Sequence, residues 1–202
     1  VLVSVRDALQ GSIFSVMHIS TRNFLSGGFQ MKIVTAIGIG LMLLAAAVVL
    51  VFVLMGPERV WRFFGEPDLG PVSFEQLERR ASPNDALACP AGVCTASADI
   101  NAALYPVTAR ELRIAFAEVI ASEPRVTTVD VDETALTDRY IQRTGWLGFP
   151  DTIVVQFLER PDGQSTLAIY SRSQLGESDL GANKARIERW LAKLAQQVQP
   201  VE

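Results

Sequence analysis

Hydrophobic and polar positions follow two regimes along this chain. From Ile33 to Met55, 23 residues pass without an ionised side chain, with Lys32 before them and Glu58 and Arg59 after them. A helix rises about 1.5 Å per residue, so such a run covers the roughly 30 Å hydrocarbon core of a bilayer with a margin for tilt. Its fourteen Leu, Ile, Val and Phe residues favour insertion, on the order of −4 to −8 kcal/mol at roughly −0.3 to −0.6 kcal/mol each. A cleaved signal has only about 7 to 15 apolar residues ahead of a small-residue cleavage site. This run leads instead into Gly56-Pro57-Glu58-Arg59-Val60-Trp61-Arg62-Phe63-Phe64. There Trp61, Phe63 and Phe64 suit the headgroup level, and Arg59 and Arg62 can snorkel their charges outward. The pattern predicts a transmembrane anchor over residues 31–56, in contact with lipid through Ile33 to Met55, and a juxtamembrane linker over 57–72.

Past the linker the pattern becomes that of a mixed domain over residues 73–199. Ser73 to Arg80 reads as a short helical turn followed by a Pro- and Cys-bearing loop. In Thr108 to Ala121, Leu112, Ala115, Phe116, Val119 and Ile120 recur at three and four, and Thr108 with Glu111 has the spacing of a capping box. Val126 to Val131, Leu136 to Arg143, Thr152 to Leu158 and Ser165 to Ser173 read as strands, rich in Val, Ile, Thr and Tyr and separated by turn signals such as Pro161-Asp162-Gly163. A last helix from Asp179 to Val198 carries Leu180, Ile187, Leu191, Leu194 and Val198 on one stripe. Consecutive strands with short links pair antiparallel. The predicted fold class is α+β, a four-stranded antiparallel meander with helices on one face, preceded by one transmembrane helix.

Length and charge narrow the function classes. The 147 residues from Gly56 to Glu202 suffice for one domain with its own core. They hold 15 basic and 21 acidic side chains, a net charge of −6. Scattered arginines on an acidic domain give no electrostatic footprint for nucleic acid. The chain opens on Val1, and Met31 stands directly before the apolar run. Residues 1–30 are therefore expected to be an extension that a start at Met31 leaves untranslated, or a disordered tail. His18, the only histidine, lies within them.

Cys89 and Cys94, the only cysteines, frame Pro90-Ala91-Gly92-Val93. Two thiols without histidine or a second pair cannot complete a zinc site, and the spacing is not CxxC, so a structural disulfide is expected and no metal or cofactor. A disulfide persists in an oxidising compartment. Lys32 on one side and Arg59 and Arg62 on the other give the positive-inside rule no decisive excess. A short tail, an anchor and a disulfide-bearing domain together lead to the expectation of a single-pass protein with an exported C-terminal domain, which in a bacterial inner membrane is a periplasmic one.

The densest polar constellation joins the last strand to the last helix, from Ser171 to Arg186. Leu167, Ile169, Ser171 and Ser173 share one strand face, so the two hydroxyls extend a line of core residues. Asp179, Asn183, Arg186 and Trp190 fall at steps of four, three and four on the helix. Ser171, Ser173, Asp179, Asn183 and Arg186, with Asp151 as a further partner for the guanidinium, are the candidate ligand-binding residues. Gly176 and Gly181 are the turn glycines. Ahead of the ligand site, the same residues read as a helix cap and a polar network that pins helix to sheet.

This stretch resembles a known family. The pattern Ser-x-Ser-x-x-Gly-x-Ser-Asp-x-Gly-x-Asn-x-x-Arg-Ile from Ser171 to Ile187 is similar to the C-terminal signature of the domain family of unknown function numbered 1499 (DUF1499). Ser82-Pro83-Asn84 and Phe149-Pro150-Asp151 resemble two earlier motifs of that family, so the likeness covers most of residues 72 to 196. Gln174 departs from it, standing where the family commonly has arginine. The resemblance implies a compact domain, often behind an apolar N-terminal segment, with no assigned activity.

Catalysis finds few parts here. With a start at Met31 no histidine remains for Ser-His-Asp or Cys-His arrangements. Asp130, Asp132 and Glu133 read as a solvated strand tip. Lys184 and Lys193 project away from the serines. The expected function is an interaction or small-ligand-binding module of the cell envelope, its partner an envelope protein or a small polar ligand. The alternative is an envelope hydrolase using a serine or carboxylate of the Ser171 to Arg186 cluster.

Overall fold

The structure, a computed structural model, describes residues 3–201, with side chains from Gly28 onward. The expectation for residues 1–30, His18 included, lies up to residue 27 outside the described side chains. The chain divides into two units, Val1–Leu54 and Met55–Glu202. The first is the helix α1 (Val3–Met55). Its stretch Gly28–Met55 has a mean hydropathy of 3.0 and none of it is buried, and among the described residues it is the one helix long and apolar enough to cross a membrane.

The second unit is built on one mixed sheet. Its elements are α2 (Pro57–Arg62), β1 (Asp85–Cys89), β2 (Ile100–Asn101), α3 (Ala109–Ala121), β3 (Val126–Asp132), β4 (Thr137–Arg143), β5 (Pro150–Glu159), β6 (Ser165–Ser173) and α4 (Ala182–Gln197). The strand order is β2-β1-β6-β5-β4-β3. The four strands β3 to β6 form the expected antiparallel meander. The expected four-stranded sheet is nevertheless corrected to six strands, because β1 adds antiparallel to β6 and β2 adds parallel to β1. Both escaped the pattern for a physical reason. Asp85-Ala86-Leu87-Ala88-Cys89 is buried at its last four positions and so shows no alternation, and its alanines lack strand propensity. β2 is only two residues long.

Local chemistry explains the element ends. Thr108 accepts from the Glu111 amide and the Glu111 side chain reaches back to the Thr108 amide, the capping box expected of α3. α4 begins at Ala182 rather than Asp179, because Leu180 and Gly181 take left-handed conformations that a helix cannot contain.

Each face of the sheet has its own core. Alternate strand positions point to one side, and Ala86, Ala88, Tyr140, Ile153, Val155, Phe157, Leu167 and Ile169 pack there against Leu112 and Phe116 of α3 and Ile187, Trp190 and Leu194 of α4. Phe116 meets Phe157 and Trp190 edge-on, centroids 5.6 and 5.9 Å apart. On the opposite face Leu87, Cys89, Val154, Ala168 and Tyr170 are covered by Phe74, Leu77 and the Cys94 loop.

Residues 57–72, expected as a juxtamembrane linker, run along that second face. Thr152 Oγ1 accepts from the Leu69 amide and donates to the Pro67 carbonyl, Arg172 donates to the Leu69 and Gly70 carbonyls, and Arg139 pairs with Asp68 at 3.0 Å. Trp61 stacks on Phe149 with centroids 4.4 Å apart, and its indole donates to the Leu147 carbonyl. The segment falls within the second unit, Met55–Glu202.

Cys89 and Cys94 are bonded, with Cα atoms 6.3 Å apart. The bridge folds the loop over the second core, where Val93 and Cys94 pack. Loop-closure entropy gives so short a ring about 2 kcal/mol. Reducing it should lower the melting temperature by roughly 4 to 8 °C, measured by circular dichroism with and without reductant. An unchanged melt would show the loop to be held by packing alone.

Candidate functional site

The meander puts the ends of three strands together. Gln142 of β4 is opposite Asp151 of β5, and Asp151 is opposite Ser173 of β6. Ser171 and Ser173 share the helix-side face, and α4 crosses above with Asn183 and Arg186 pointing down. Asp151, Ser171, Ser173, Asn183, Arg186 and Gln142 are all buried.

The bonds within this cluster close on themselves. Arg186 Nη2 donates to Asp151 Oδ2 and Nη1 to Ser171 Oγ and Asn183 Oδ1, while Nε donates to Gln142 Oε1. Ser171 donates to Asn183 Oδ1 at 2.6 Å. The Asn183 amide nitrogen donates to Ser173 Oγ at 3.0 Å and to the Asn84 carbonyl at 3.1 Å. A buried guanidinium must spread its donors over such acceptors to offset lost hydration. The sequence-predicted residues are thus brought together, but as a closed network and not as the wall of an open cleft.

Asp179 stands apart from that interior. It accepts from the Asn183 amide at 2.8 Å and the Gly181 amide at 3.0 Å, so it satisfies amides at the start of α4, whose N-cap residue is Gly181. Gly176 and Gly181, at φ of 91° and 81°, make the turns expected of them. Gln174 donates to the Glu66 carbonyl, a neutral tie to the segment ahead of the sheet.

Three participants were not foreseen. Gln142 links Arg186 to the far side of the network by donating to the Pro124 carbonyl at 3.1 Å and lying 3.5 Å from Glu123. Its signal was its parity, since Asp138, Tyr140 and Gln142 alternate along one face of β4. Asn84 donates to the Gly176 carbonyl at 2.6 Å and so fastens the β6 to α4 loop. Glu123 is buried between Arg189 at 3.0 Å and Lys193 at 2.6 Å. Burial pushes its carboxyl up, but the hydrogen bonds from Arg189 and Lys193 outweigh this and hold it at about 2. A second buried pair, Arg113 with Asp138 at 2.7 Å, ties α3 to β4. Burial first, and then the Asp138 charge, raises the Tyr140 hydroxyl beside it.

Chemically the cluster is suited to holding shape. Ser171 Oγ receives a guanidinium N–H, and Ser173 Oγ receives an amide N–H, so neither is set against a base that would make it a nucleophile. Among the described residues no group of three or more Cys, His, Asp or Glu side chains is placed to hold a metal ion.

Truncating one partner of a buried pair strands the other in low dielectric, at a cost on the order of 3 to 5 kcal/mol. Arg186→Ala should therefore lower the melting temperature by roughly 10 °C or more. A shift of a degree or two in a thermal melt would show that the guanidinium is not structural.

The Glu123 carboxylate has a lower pKa folded than its ordinary 4.5. Its stability contribution is full above that ordinary value and is lost as pH falls toward about 2. Glu123→Gln should flatten the acid limb of the melting profile in that window. An unaltered limb would remove Glu123 from the account.

No curated protein matches the chain. The family model described as "Protein of unknown function (DUF1499)" matches residues 75–194, more than half of the chain. Within that span the three motifs Ser82-Pro83-Asn84, Phe149-Pro150-Asp151 and Ser171 to Ile187 converge on the one buried network. The chain belongs to the DUF1499 family of proteins of unknown function.

Proposed function

We propose that this chain is a single-pass protein of a bacterial inner membrane, anchored through its apolar helix, whose periplasmic domain serves as an interaction or small-ligand-binding module of the cell envelope. The observation that carries this reading is the Cys89–Cys94 disulfide following the helix Gly28–Met55. Structural bridges persist where the surroundings oxidise thiols, which for a membrane-tethered domain means the far side of the membrane.

In this reading the buried residues Asp151, Ser171, Ser173, Asn183 and Arg186 set the frame, with Asp179 accepting amides at the start of the helix. Loops carried on that frame meet the partner or ligand. Such a division is common, because a rigid scaffold positions loops that carry function. The bonding of Ser171 and Ser173 gives the hydrolase alternative no comparable support.

An alkaline phosphatase fused after Glu202 should be active, and Cys89 and Cys94 should react with a maleimide only after reduction. An inactive phosphatase together with a fluorescent C-terminal GFP fusion would place the domain in the cytoplasm and overturn the assignment.

A further inference from the structure

One end of the domain exposes apolar side chains that the fold does not need. Trp146 in the β4 to β5 loop is 94% exposed, and Leu180 in the β6 to α4 loop is 96% exposed in a left-handed conformation. Arg143 pairs with Pro150 and Asp151 with Ser173, so both loops leave the sheet at the same end. Leu147, Phe63 and Phe64 are exposed as well.

The segment after the apolar helix packs on this end. α2 rests on the 144–149 loop: Trp61 donates to the Leu147 carbonyl and stacks on Phe149, Glu58 pairs with Arg143 at 3.3 Å, and Pro57 abuts Gly148 so closely that a Cβ there would stand 2.8 Å from it. Pro57 is two residues beyond Met55, the last residue of the apolar helix. Two residues of chain span at most about 7 Å. A headgroup layer is roughly 5 to 7 Å deep on each side of the hydrocarbon core. With Met55 at the edge of that core, Pro57 and the Gly148 it abuts stay within reach of the headgroups.

We propose that this end of the domain docks on the bilayer surface, with Trp146, Leu147, Phe63 and Phe64 seated at headgroup depth and Leu180 beside them. Tryptophan favours that depth because its ring is apolar and its N–H finds hydrogen bonds there. Arg59 and Arg62, both exposed, keep their charges among headgroups while the rings sink. Gly148, at a φ of 65°, turns the loop back under α2. The docking rests on the reading of Gly28–Met55 as an anchor.

The test uses the full chain in nanodiscs of phosphatidylcholine and takes the tryptophan emission removed by Trp146→Phe as the signal of Trp146. Trp146 is so exposed in the domain itself that its replacement leaves the fold intact. Lipid spin-labelled near the headgroup should quench that signal about twofold, and lipid labelled at the chain terminus should quench it much less. If the chain incorporates into the discs and resists carbonate extraction while Trp146 stays unquenched by either label, the docking is overturned and the anchor stands. If carbonate strips the chain from membranes, the anchor fails and the docking fails with it.

Discussion

A buried guanidinium dictates much of this architecture. Arg186 lies buried under α4 with its fork turned into the sheet, so its donors depend on protein acceptors. Its acceptors come from three adjacent strands: Gln142 from β4, Asp151 from β5 and Ser171 from β6. One side chain therefore sets the position of a helix and the mutual register of three strands. An apolar contact would tolerate a slide of a few tenths of an ångström. A set of directed bonds to a planar group does not.

The constraint spreads through bonded neighbours. Gln142 continues the network to the Pro124 carbonyl and toward Glu123, which Arg189 and Lys193 clamp from α4. At the other helix, Arg113 holds Asp138, and Asp138 accepts from the Tyr140 hydroxyl. Between these polar pins lies an aromatic block in which Tyr140 and Trp190 meet at right angles. The block supplies area removed from water, and the pins choose one arrangement of it.

What was legible in the sequence follows the same division. The helix cap at Thr108, the meander and the convergence of Ser171, Asn183 and Arg186 were readable because period and parity locate a side chain on a face. The strand β1 was not, since a segment buried at its last four positions has no alternation to betray it. Gln142 went unread because an amide inside a strand of mixed character is conspicuous only once its neighbour is known to be an arginine. The segment 57–72 looked like a tether because its bonds to Thr152, Arg139 and Arg172 are made mostly through carbonyls and amides, which every sequence has.

The two edges of the sheet differ in a way that bears on crowding. β2 closes one side with two residues and offers little to a passing strand. β3 is seven residues long and almost wholly exposed, and its open backbone is the kind of template on which chains stack. It carries its own safeguards. The ladder to β4 shifts register between Thr128 and Asp130, which bends the edge, and Asp130 and Asp132 alternate with Val129 and Val131 along it. Under the proposed tethering, copies of the chain meet in two dimensions, where encounters between like edges are frequent. A bent edge lined with aspartates is then a guard against stacking for a protein that cannot diffuse away.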